Sequence, residues 1–373
     1  MIINILHPVL CYYPSQAGGP ANTLYWINSS LNPDEFKTCI VATTLGVSQP
    51  LPIANKGNKS KVLFFRTNGF PFIKKTIKFL EQADIVQFSS IFFPPTLPLL
   101  IIGIIKGKTI IISPRGELYQ TALRIKPLKK KLWKWFISLF QRYINFHATN
   151  EIEQEIIRQH FPEAKRVDII PNYLLLPQKL DENVLLRFVF LGRINPLKNI
   201  DILVKALAEV RKNPEYKDIE LIVMGSARLP YETDYEKKLH DLIVSLDLGS
   251  NVKFMGHVEG QEKDKILATS MALVLPSQSE NFGNVVLEAL AQGTPVIASK
   301  NTPWETLNNL KAGYWVNPDV QALTEAMNSL LNLKKEEYQQ MRENAYQLCS
   351  STFDIKSNIK VWENYYKTIT THV

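Results

Sequence analysis

The sequence predicts an α/β protein built from two doubly wound parallel-sheet domains. The chain has 373 residues, 45% of them hydrophobic, which is enough to form two substantial cores. Short apolar runs alternate with longer helical segments in both halves, a pattern typical of parallel sheets covered by helices. Around Pro177, residues 174–184 interrupt the apolar periodicity and predict a linker. We therefore place the domains at 1–176 and 177–354, followed by a helical segment at 355–373.

The strands follow from apolar runs bounded by turn residues. In the first half they are predicted near Ile2–Leu6, Thr38–Ala42, Lys61–Phe65, Ile85–Phe88, Thr109–Ile112, Phe146–Ala148 and Val167–Ile170. In the second half they are predicted near Phe188–Leu191, Glu220–Met224, Val252–Phe254, Ala272–Leu275 and Val296–Ala298. Two late helices, near Lys334–Ser350 and Ile355–Thr370, are followed by no strand.

The most informative segment is 275–298, where a strand, a turn, a helix and another strand follow one another. Glu280 falls on the loop beyond the first strand, at the edge where open α/β sheets bind ligands. The helix starts at Phe282-Gly283-Asn284, and its free amides suit a phosphate. Glu288 follows about two helical turns later, so one carboxylate can hold a sugar and the other a ribose. A chance pair of glutamates is the alternative, but the surrounding elements favour a nucleotide-sugar site.

Two cations support this interpretation. A strand ends at Gly192, and Arg193 and Lys198 follow on the loop that opens the next helix. A guanidinium offers paired hydrogen bonds to phosphate oxygens and an ammonium adds a mobile charge, so the two predict a diphosphate clamp. Solvated loop cations are the alternative. Near the N-terminus, Gly18-Gly19-Pro20 follows the first strand and opens a helix, so bare backbone can approach a phosphate there; a plain turn is the alternative.

With these motifs the chain resembles the retaining glycosyltransferases of family 4 (GT4), which have the GT-B fold: two Rossmann-like domains facing an interdomain cleft. The resemblance runs from Gly18-Gly19-Pro20 through Ile170-Pro171-Asn172 to the glutamate pair. It implies that Arg193, Lys198 and the glycine loop bind the donor diphosphate, that Glu280 contacts the donor sugar, and that Glu288 contacts the ribose. We add Phe282 and Gly283 to the diphosphate site, Asn281, Phe282 and Gly283 to the sugar site, and Val258 and Asn284 to the ribose and base site. In this fold the last helix crosses back to the first domain, as expected for 355–373.

The chain departs from the family pattern in two places. The mid-chain motif continues as Tyr173-Leu174 where many relatives have Gly-Val. The His-Gly pair of many relatives is replaced by Pro114-Arg115-Gly116-Glu117, a version that resembles members active in bacterial surface-polysaccharide assembly, as does Thr302-Pro303-Trp304-Glu305. We assign Arg115 and Glu117 to the acceptor or donor side, with an ordinary ion pair between them as the alternative.

Charge is concentrated in one segment. Ten basic residues against Glu117 lie between Lys106 and Arg142, within a chain of net charge +8. Residues 126–144 combine lysines, tryptophans and an apolar face, which predicts either contact with an anionic membrane surface or a core-packing helix with a solvated basic edge. Nucleic acid is not expected as a partner, because no recognition motif accompanies the charge.

Several other features limit the function. The apolar run 91–105 is too short to span a bilayer, and the N-terminus reads as a strand and not as a signal sequence. Three scattered cysteines suit a reducing cytoplasm, so we expect a cytoplasmic protein, with peripheral attachment to the inner membrane face as an option. No metal or cofactor is expected, since no Asp-x-Asp pair lies on a strand-end loop, and the six histidines are expected to be structural.

The resulting hypothesis is a retaining glycosyltransferase that moves a hexose-type sugar from a nucleotide diphosphate sugar to a saccharide or lipid-linked saccharide acceptor. Glu280 positions the sugar, and whether it also acts as a nucleophile stays open at this point. The alternatives are a sugar-nucleotide-binding regulator without catalysis and a GT-B epimerase. A dinucleotide oxidoreductase is excluded, because neither first turn carries the Gly-x-Gly-x-x-Gly pattern.

Overall fold

A computed structural model of the chain describes residues 2–15, 19–47 and 60–370. The chain divides into two compact units. Unit 1 comprises residues 1–175 and 355–373, and unit 2 comprises residues 176–354. Unit 2 is therefore inserted in sequence between two segments of unit 1.

Unit 1 alternates strands and helices from its start. Its strands are β1 (Ile3–Val9), β2 (Phe36–Thr43), β3 (Lys61–Phe65), β4 (Ile85–Phe88), β5 (Thr109–Ile112), β6 (Ile144–Ala148) and β7 (Arg166–Ile169). Its helices are α1 (Gly19–Ser30), α2 (Phe70–Leu80), α3 (Thr96–Ile105), α4 (Gln120–Leu123), α5 (Pro127–Ser138), α6 (Glu151–His160) and, from the end of the chain, α14 (Ile355–Thr370).

The seven strands form one parallel sheet in the order β3-β2-β1-β4-β5-β6-β7. Successive residues of β5 point to opposite faces: Ile110 and Ile112 join one apolar cluster and Ile111 joins another. Both faces are thus buried, which explains why these strands read as continuous apolar runs.

Helix α14 completes the second of these clusters. Trp362 and Tyr366 pack there among Ile5, Ile85 and Ile111. The Tyr366 hydroxyl donates a hydrogen bond of 2.8 Å to Gln87 Oε1, and Glu363 accepts one of 2.9 Å from the backbone of residue 32. The C-terminal helix is therefore part of the core of unit 1.

Unit 2 has the same alternating plan. Its strands are β8 (Leu185–Leu191), β9 (Glu220–Met224), β10 (Val252–Gly256), β11 (Ser270–Leu275), β12 (Val296–Ser299) and β13 (Gly313–Val316). Its helices are α7 (Ile200–Val210), α8 (Pro230–Ser245), α9 (Gly260–Ala268), α10 (Asn284–Ala291), α11 (Thr306–Asn309), α12 (Val320–Leu331) and α13 (Lys335–Thr352). The parallel sheet has the order β10-β9-β8-β11-β12-β13, with α7 packed against α8 and α12, and α10 packed against α9 and α13.

The prediction of two doubly wound parallel sheets is confirmed, and all twelve predicted strands are present. Strand β13, a half-buried edge strand, was not predicted, although Tyr314, Trp315 and Val316 form a short apolar run. Residues 126–144 were predicted as one amphipathic helix, whereas α5 ends at Ser138 and a short 3-10 turn, Gln141–Tyr143, follows. Among the described residues, no helix combines the length and the apolar character needed to cross a bilayer.

Candidate functional site

Lys198 and Glu280 meet in unit 2. Lys198 ends a 3-10 turn, Pro196–Lys198, that follows β8, and Glu280 lies on the loop that follows β11. Lys198 Nζ contacts Glu280 Oε2 directly, and the two side chains are only 19% and 18% exposed. Strands β8 and β11 are neighbours where the strand order reverses, which is where open α/β sheets bind ligands. The structure thus joins one predicted phosphate ligand to the predicted sugar ligand.

Hydrogen bonds between the two loops hold this arrangement. Asn199 is buried and donates from Nδ2 to Pro276 O at 3.0 Å, while its Oδ1 accepts from Gln278 Nε2 at 2.7 Å. The backbone N–H of Gln278 donates to Leu197 O at 2.8 Å. Three bonds across 80 residues of sequence therefore fix the backbone on either side of Lys198 and Glu280.

The turn before α10 requires glycine. Gly283 has φ +80°, a left-handed conformation that side chains disfavour, and a Cβ there would lie 3.2 Å from Glu280 Cγ and from Leu275 Cδ2. Ser277 Oγ donates to Glu280 Oε2 at 3.3 Å. The Glu280 carboxylate is thus placed between a serine hydroxyl, an ammonium and a turn that admits no larger residue.

The Phe282 ring lies beneath the loop and not on its outer surface. It is buried and packs against Trp304, at 5.3 Å between ring centroids, and against Phe353 at 6.0 Å. Trp304 Nε1 donates to Phe282 O. The predicted contribution of Phe282 to a ligand is therefore limited to its backbone, whereas Asn281 lies on the loop and Asn284 is the first residue of α10. Val258, on the loop after β10, is buried.

Arg193 is held by a buried carboxylate that the sequence analysis missed. Arg193 Nη1 lies 3.5 Å from Glu232 Oε1, and the Glu232 side chain is fully buried whereas Arg193 is half exposed. Glu232 also accepts from Asn195 Nδ2 at 2.7 Å and from the amides of Arg228 and Leu229 at 2.9 and 3.1 Å. Burial alone would raise the pKa of Glu232, but these hydrogen bonds and the charge of Arg193 outweigh it and lower the pKa. Glu232 is thus an anion that orients the start of the loop after β8.

The position of the loop after β8 also depends on a close approach between two backbone segments. A Cβ on Gly225, which has φ +144°, would lie 1.8 Å from the carbonyl oxygen of Gly192. The turns after β8 and β9 touch through these two glycines, so position 225 admits no side chain.

Glu288 also has a partner that the sequence analysis did not identify. Lys263 Nζ in α9 lies 2.8 Å from Glu288 Oε2, with side-chain exposures of 22% and 14%. Burial lowers the pKa of Lys263, but the adjacent Glu288 carboxylate more than compensates, so the pKa is raised. The predicted ribose ligand is therefore a carboxylate held by a largely buried ammonium.

The residues predicted for unit 1 lie at the carboxyl end of its sheet. Arg115 has φ +51° and donates from Nη1 to Asn172 Oδ1 at 3.3 Å, while its Nε and Nη2 are buried without a hydrogen-bond partner. Glu117 instead accepts from Ser90 Oγ and from the amide of Ile91, both at 2.6 Å. The alternative of an Arg115–Glu117 ion pair is therefore wrong: backbone and hydroxyl donors already occupy the Glu117 carboxylate.

The glycine loop is described only in part. Gly19 is the first residue of α1, and its carbonyl accepts from Thr23 Oγ1 at 3.2 Å. Gly18, the other predicted diphosphate contact in this loop, lies outside the described residues.

Two histidines lie close to Arg115. Burial, and then the charge of Arg115, lower the pKa of His7 and of His147 to about 3, so both rings are neutral at pH 7. His147 Nε2 donates to Ile170 O at 2.8 Å, and its Nδ1 lies 2.9 Å from Ser113 Oγ. The expectation of structural histidines agrees with this packing for His147. Within the described parts of the chain, no three His, Cys, Asp or Glu side chains converge in a way that could hold a metal ion.

Comparison with known proteins identifies unit 2. Residues 178–348 match the family model described as glycosyl transferases group 1. The chain carries a glycosyl transferases group 1 domain. This group 1 domain contains Arg193, Lys198, Glu280 and Glu288, and it confirms the resemblance to family 4 that the motifs implied.

Relatives and solved structures extend the comparison. A D-inositol 3-phosphate glycosyltransferase of Stackebrandtia nassauensis is 39% identical over 112 residues, which is 30% of this chain but only 25% of that protein. The structure of Anabaena Alr3699/HepE in complex with UDP and glucose has a TM-score of 0.75 at 20% identity, covering 98% of this chain and all of that one. WaaG, a glycosyltransferase involved in lipopolysaccharide biosynthesis, has a TM-score of 0.71 at 15% identity, covering 98% of this chain and 99% of WaaG. Beyond the group 1 domain, these similarities show that the whole chain has the GT-B fold.

Proposed function

We propose that this protein is a retaining glycosyltransferase that moves a hexose-type unit from a nucleotide diphosphate sugar to a saccharide or lipid-linked saccharide. The observation that carries the proposal is the convergence of Lys198 and Glu280 at the strand-order reversal of the group 1 domain. A sugar diphosphate needs a cation beside the phosphates and an acceptor of hydroxyl hydrogen bonds beside the sugar. These two side chains offer both within one contact.

In the proposed complex, Lys198 moves from Glu280 to the donor diphosphate. Its ammonium is on a flexible stem, so it can exchange one anion for another without a change of backbone. The released Glu280 carboxylate then accepts hydrogen bonds from the sugar hydroxyls. Arg193, oriented by Glu232, supplies the second cation, and Glu288, in the middle of α10, holds the ribose together with Lys263.

The chemical step breaks the bond between the anomeric carbon and the phosphate oxygen. The acceptor oxygen forms its bond to the same face of that carbon, and its proton passes to the leaving phosphate, so no protein base is required. Negative charge grows on the diphosphate during this step. Lys198, Arg193 and the amides at the start of α10 stabilise that charge, and we propose that they do so without a divalent metal.

The acceptor side is assigned to unit 1. We propose that Arg115, whose Nε and Nη2 have no hydrogen-bond partner among the described residues, contacts an anionic group of the acceptor or donor. The similarity to WaaG supports a role in bacterial cell-surface polysaccharide assembly. We propose that such a role places the protein in the cytoplasm, at the inner face of the membrane that carries lipid-linked acceptors.

The first experiment is thermal unfolding of the full chain with UDP-, GDP- and ADP-sugars, with and without EDTA. A bound donor at a hundredfold its Kd stabilises by about 2.7 kcal/mol, which raises the Tm of a unit of this size by roughly 5–11 °C. We expect one nucleotide series to give such a shift and EDTA to leave it unchanged. If no nucleotide sugar stabilises the protein, the proposal is wrong.

The donor identified in this way is then used in a transfer assay with Lys198→Ala. Loss of a cation that stabilises the leaving group should lower turnover about 10²–10³-fold. The Tm of the free protein should fall by only about 2–8 °C relative to the control, because Glu280 loses its counter-charge. The matched control is Lys212→Ala, an exposed lysine of the same unit paired only with Glu209. Formation of a C2-epimeric nucleotide sugar without any acceptor would support an epimerase instead. Donor binding without turnover on any acceptor would support a regulator. Inversion of configuration at the anomeric carbon would contradict the retaining step.

A further inference from the structure

Helix α5 has two apolar faces, and unit 1 buries only one of them. On the inner face, Trp133, Ile137 and Phe140 belong to the core of unit 1, and Trp133 Nε1 donates to Ile91 O at 2.6 Å. The lysines of this face are also engaged: Lys130 donates to Ala122 O at 2.7 Å, and Lys134 lies 3.0 Å from a ring nitrogen of His160. The inner face is therefore fully used for packing.

The outer face carries a second apolar row. Leu128, Leu132, Trp135 and Leu139 recur at intervals of three or four residues, which is one side of a helix, and they are 82%, 56%, 53% and 57% exposed. Phe136 lies beside them, with its ring 4.8 Å from that of Trp135. We call Leu128, Leu132, Trp135, Phe136 and Leu139 the outer row. A continuous apolar surface of this kind marks an interaction site.

Basic residues flank the outer row, and acidic ones are absent from its neighbourhood in sequence. Arg124, Lys126, Lys129 and Lys131 are exposed, and the sequence contains no Asp or Glu between Leu118 and Asn150. Arg142 is the one flanking cation among those described that pairs with a carboxylate, that of Glu163. The segment that carries the outer row is thus positive, and no salt bridge among the described residues involves Arg124, Lys126, Lys129 or Lys131.

We infer that the outer row of α5 inserts into the interfacial region of a membrane rich in anionic phospholipid. Leucines and tryptophan suit the boundary of the acyl chains, and the flanking lysines reach lipid phosphates, each contributing about a fivefold gain in affinity. At 12 residues α5 is about 18 Å long, so it lies in the plane of the membrane and does not span it. A second copy of the chain is a poorer occupant, because a symmetric contact would bring two strips of unpaired cations together.

The inference goes beyond the transfer reaction and is tested without it. The full chain is mixed with vesicles of phosphatidylcholine, or of phosphatidylcholine with phosphatidylglycerol, and the bound fraction is measured by sedimentation. We expect binding to the anionic vesicles, weakened but not abolished by salt. The variant Leu132→Ser/Trp135→Ser should lower the partition coefficient at least tenfold at every salt concentration. The variant Lys129→Gln/Lys131→Gln should lower it roughly thirtyfold at low salt and remove about half of the salt dependence, because Arg124 and Lys126 keep their charge.

The control is Val244→Ser, which removes a side chain that is 77% exposed on α8 and should leave binding unchanged. Since all altered side chains are exposed, each variant should keep the Tm and the donor-induced Tm shift of the parent protein. Unchanged vesicle binding by Leu132→Ser/Trp135→Ser overturns the insertion. So does a dimer in solution that this variant converts to monomers, because the outer row would then be an interface between copies. Failure of the donor experiment has no bearing on these results.

Discussion

The buried carboxylate of Glu232 allows a demanding test of how the proposed diphosphate clamp of Arg193 and Lys198 is built. Replacement by glutamine keeps the shape of the side chain but exchanges one oxygen for an NH2 group. One oxygen of Glu232 accepts from the amides of Arg228 and Leu229, and the other accepts from Asn195 Nδ2 and Arg193 Nη1. In either orientation of the glutamine amide, its NH2 group faces two hydrogen-bond donors that have lost their acceptor.

The cost follows from these contacts. A buried donor left without an acceptor costs about 1–3 kcal/mol, so Glu232→Gln should lower the free energy of unfolding of unit 2 by about 2–4 kcal/mol. For a unit of this size, that corresponds to a fall in Tm of about 4–16 °C. In this variant Arg193 is still present but no longer oriented by a carboxylate. The substitution should therefore raise the KM for the donor more than it lowers kcat.

The assay is thermal unfolding combined with steady-state kinetics on the donor. The matched control is Asp234→Asn, which neutralises an exposed carboxylate of the same helix and should change neither quantity appreciably. Equal Tm values for Glu232→Gln and Asp234→Asn would refute the assignment of a buried, hydrogen-bonded anion. A lower Tm with an unchanged donor KM would restrict Glu232 to a structural role.

Two further predictions concern the other ionisable groups. Lys263→Met removes the counter-charge that lies 2.8 Å from Glu288, so it should weaken nucleotide binding and lower the free energy of unfolding of unit 2 by about 1–2 kcal/mol. A double-mutant cycle with Glu288→Gln measures the coupling between the two side chains, and strictly additive effects would contradict the ion pair. His147 has a pKa of about 3 in the folded chain against 6.5 for the exposed ring, so the unfolded state takes up the proton first and stability is lost as the pH falls below 6.5. Between pH 7 and pH 5 this histidine should account for a loss of up to about 2 kcal/mol, and His147→Gln should show a correspondingly flatter dependence of Tm on pH.

Much of the fold could be predicted from the sequence because buried parallel strands need apolar side chains on both faces. The apolar runs at 109–112 and 220–224 are sufficient to predict β5 and β9. Strand β13 was not recognised, because only three apolar residues, Tyr314, Trp315 and Val316, follow its glycine and all three are only half-buried. The outer row of α5 was also hidden, because periodicity shows that a helix has apolar residues but not which of them the protein buries.

Residues of the candidate site were predictable where one short segment contains the charged side chains and the turn that positions them. Glu280, Arg193 and Lys198 lie on strand-to-helix loops, and Glu288 lies on the helix that follows one of them, so their position in an α/β sheet is known in advance. Glu232 and Lys263 were missed, because each acts on a partner from a different loop or helix and neither stands in a recognisable pattern. For Arg115 and Glu117, the ion pair that the sequence left open as an alternative does not form, because the Ser90 hydroxyl and the backbone amide of Ile91 donate to the Glu117 carboxylate.

The path of the chain through unit 1 has a consequence for the order in which the protein matures on the ribosome. The core of unit 1 includes Trp362, Tyr365 and Tyr366 from α14, which is synthesised after all of unit 2. Domains usually mature in the order of their synthesis. Here the unit that begins first keeps one face of its sheet only partly covered, by α1, until α14 emerges, whereas all of unit 2 is synthesised before that helix. A chain truncated after residue 354 should therefore still form unit 2 and offer the exposed part of unit 1 to chaperones.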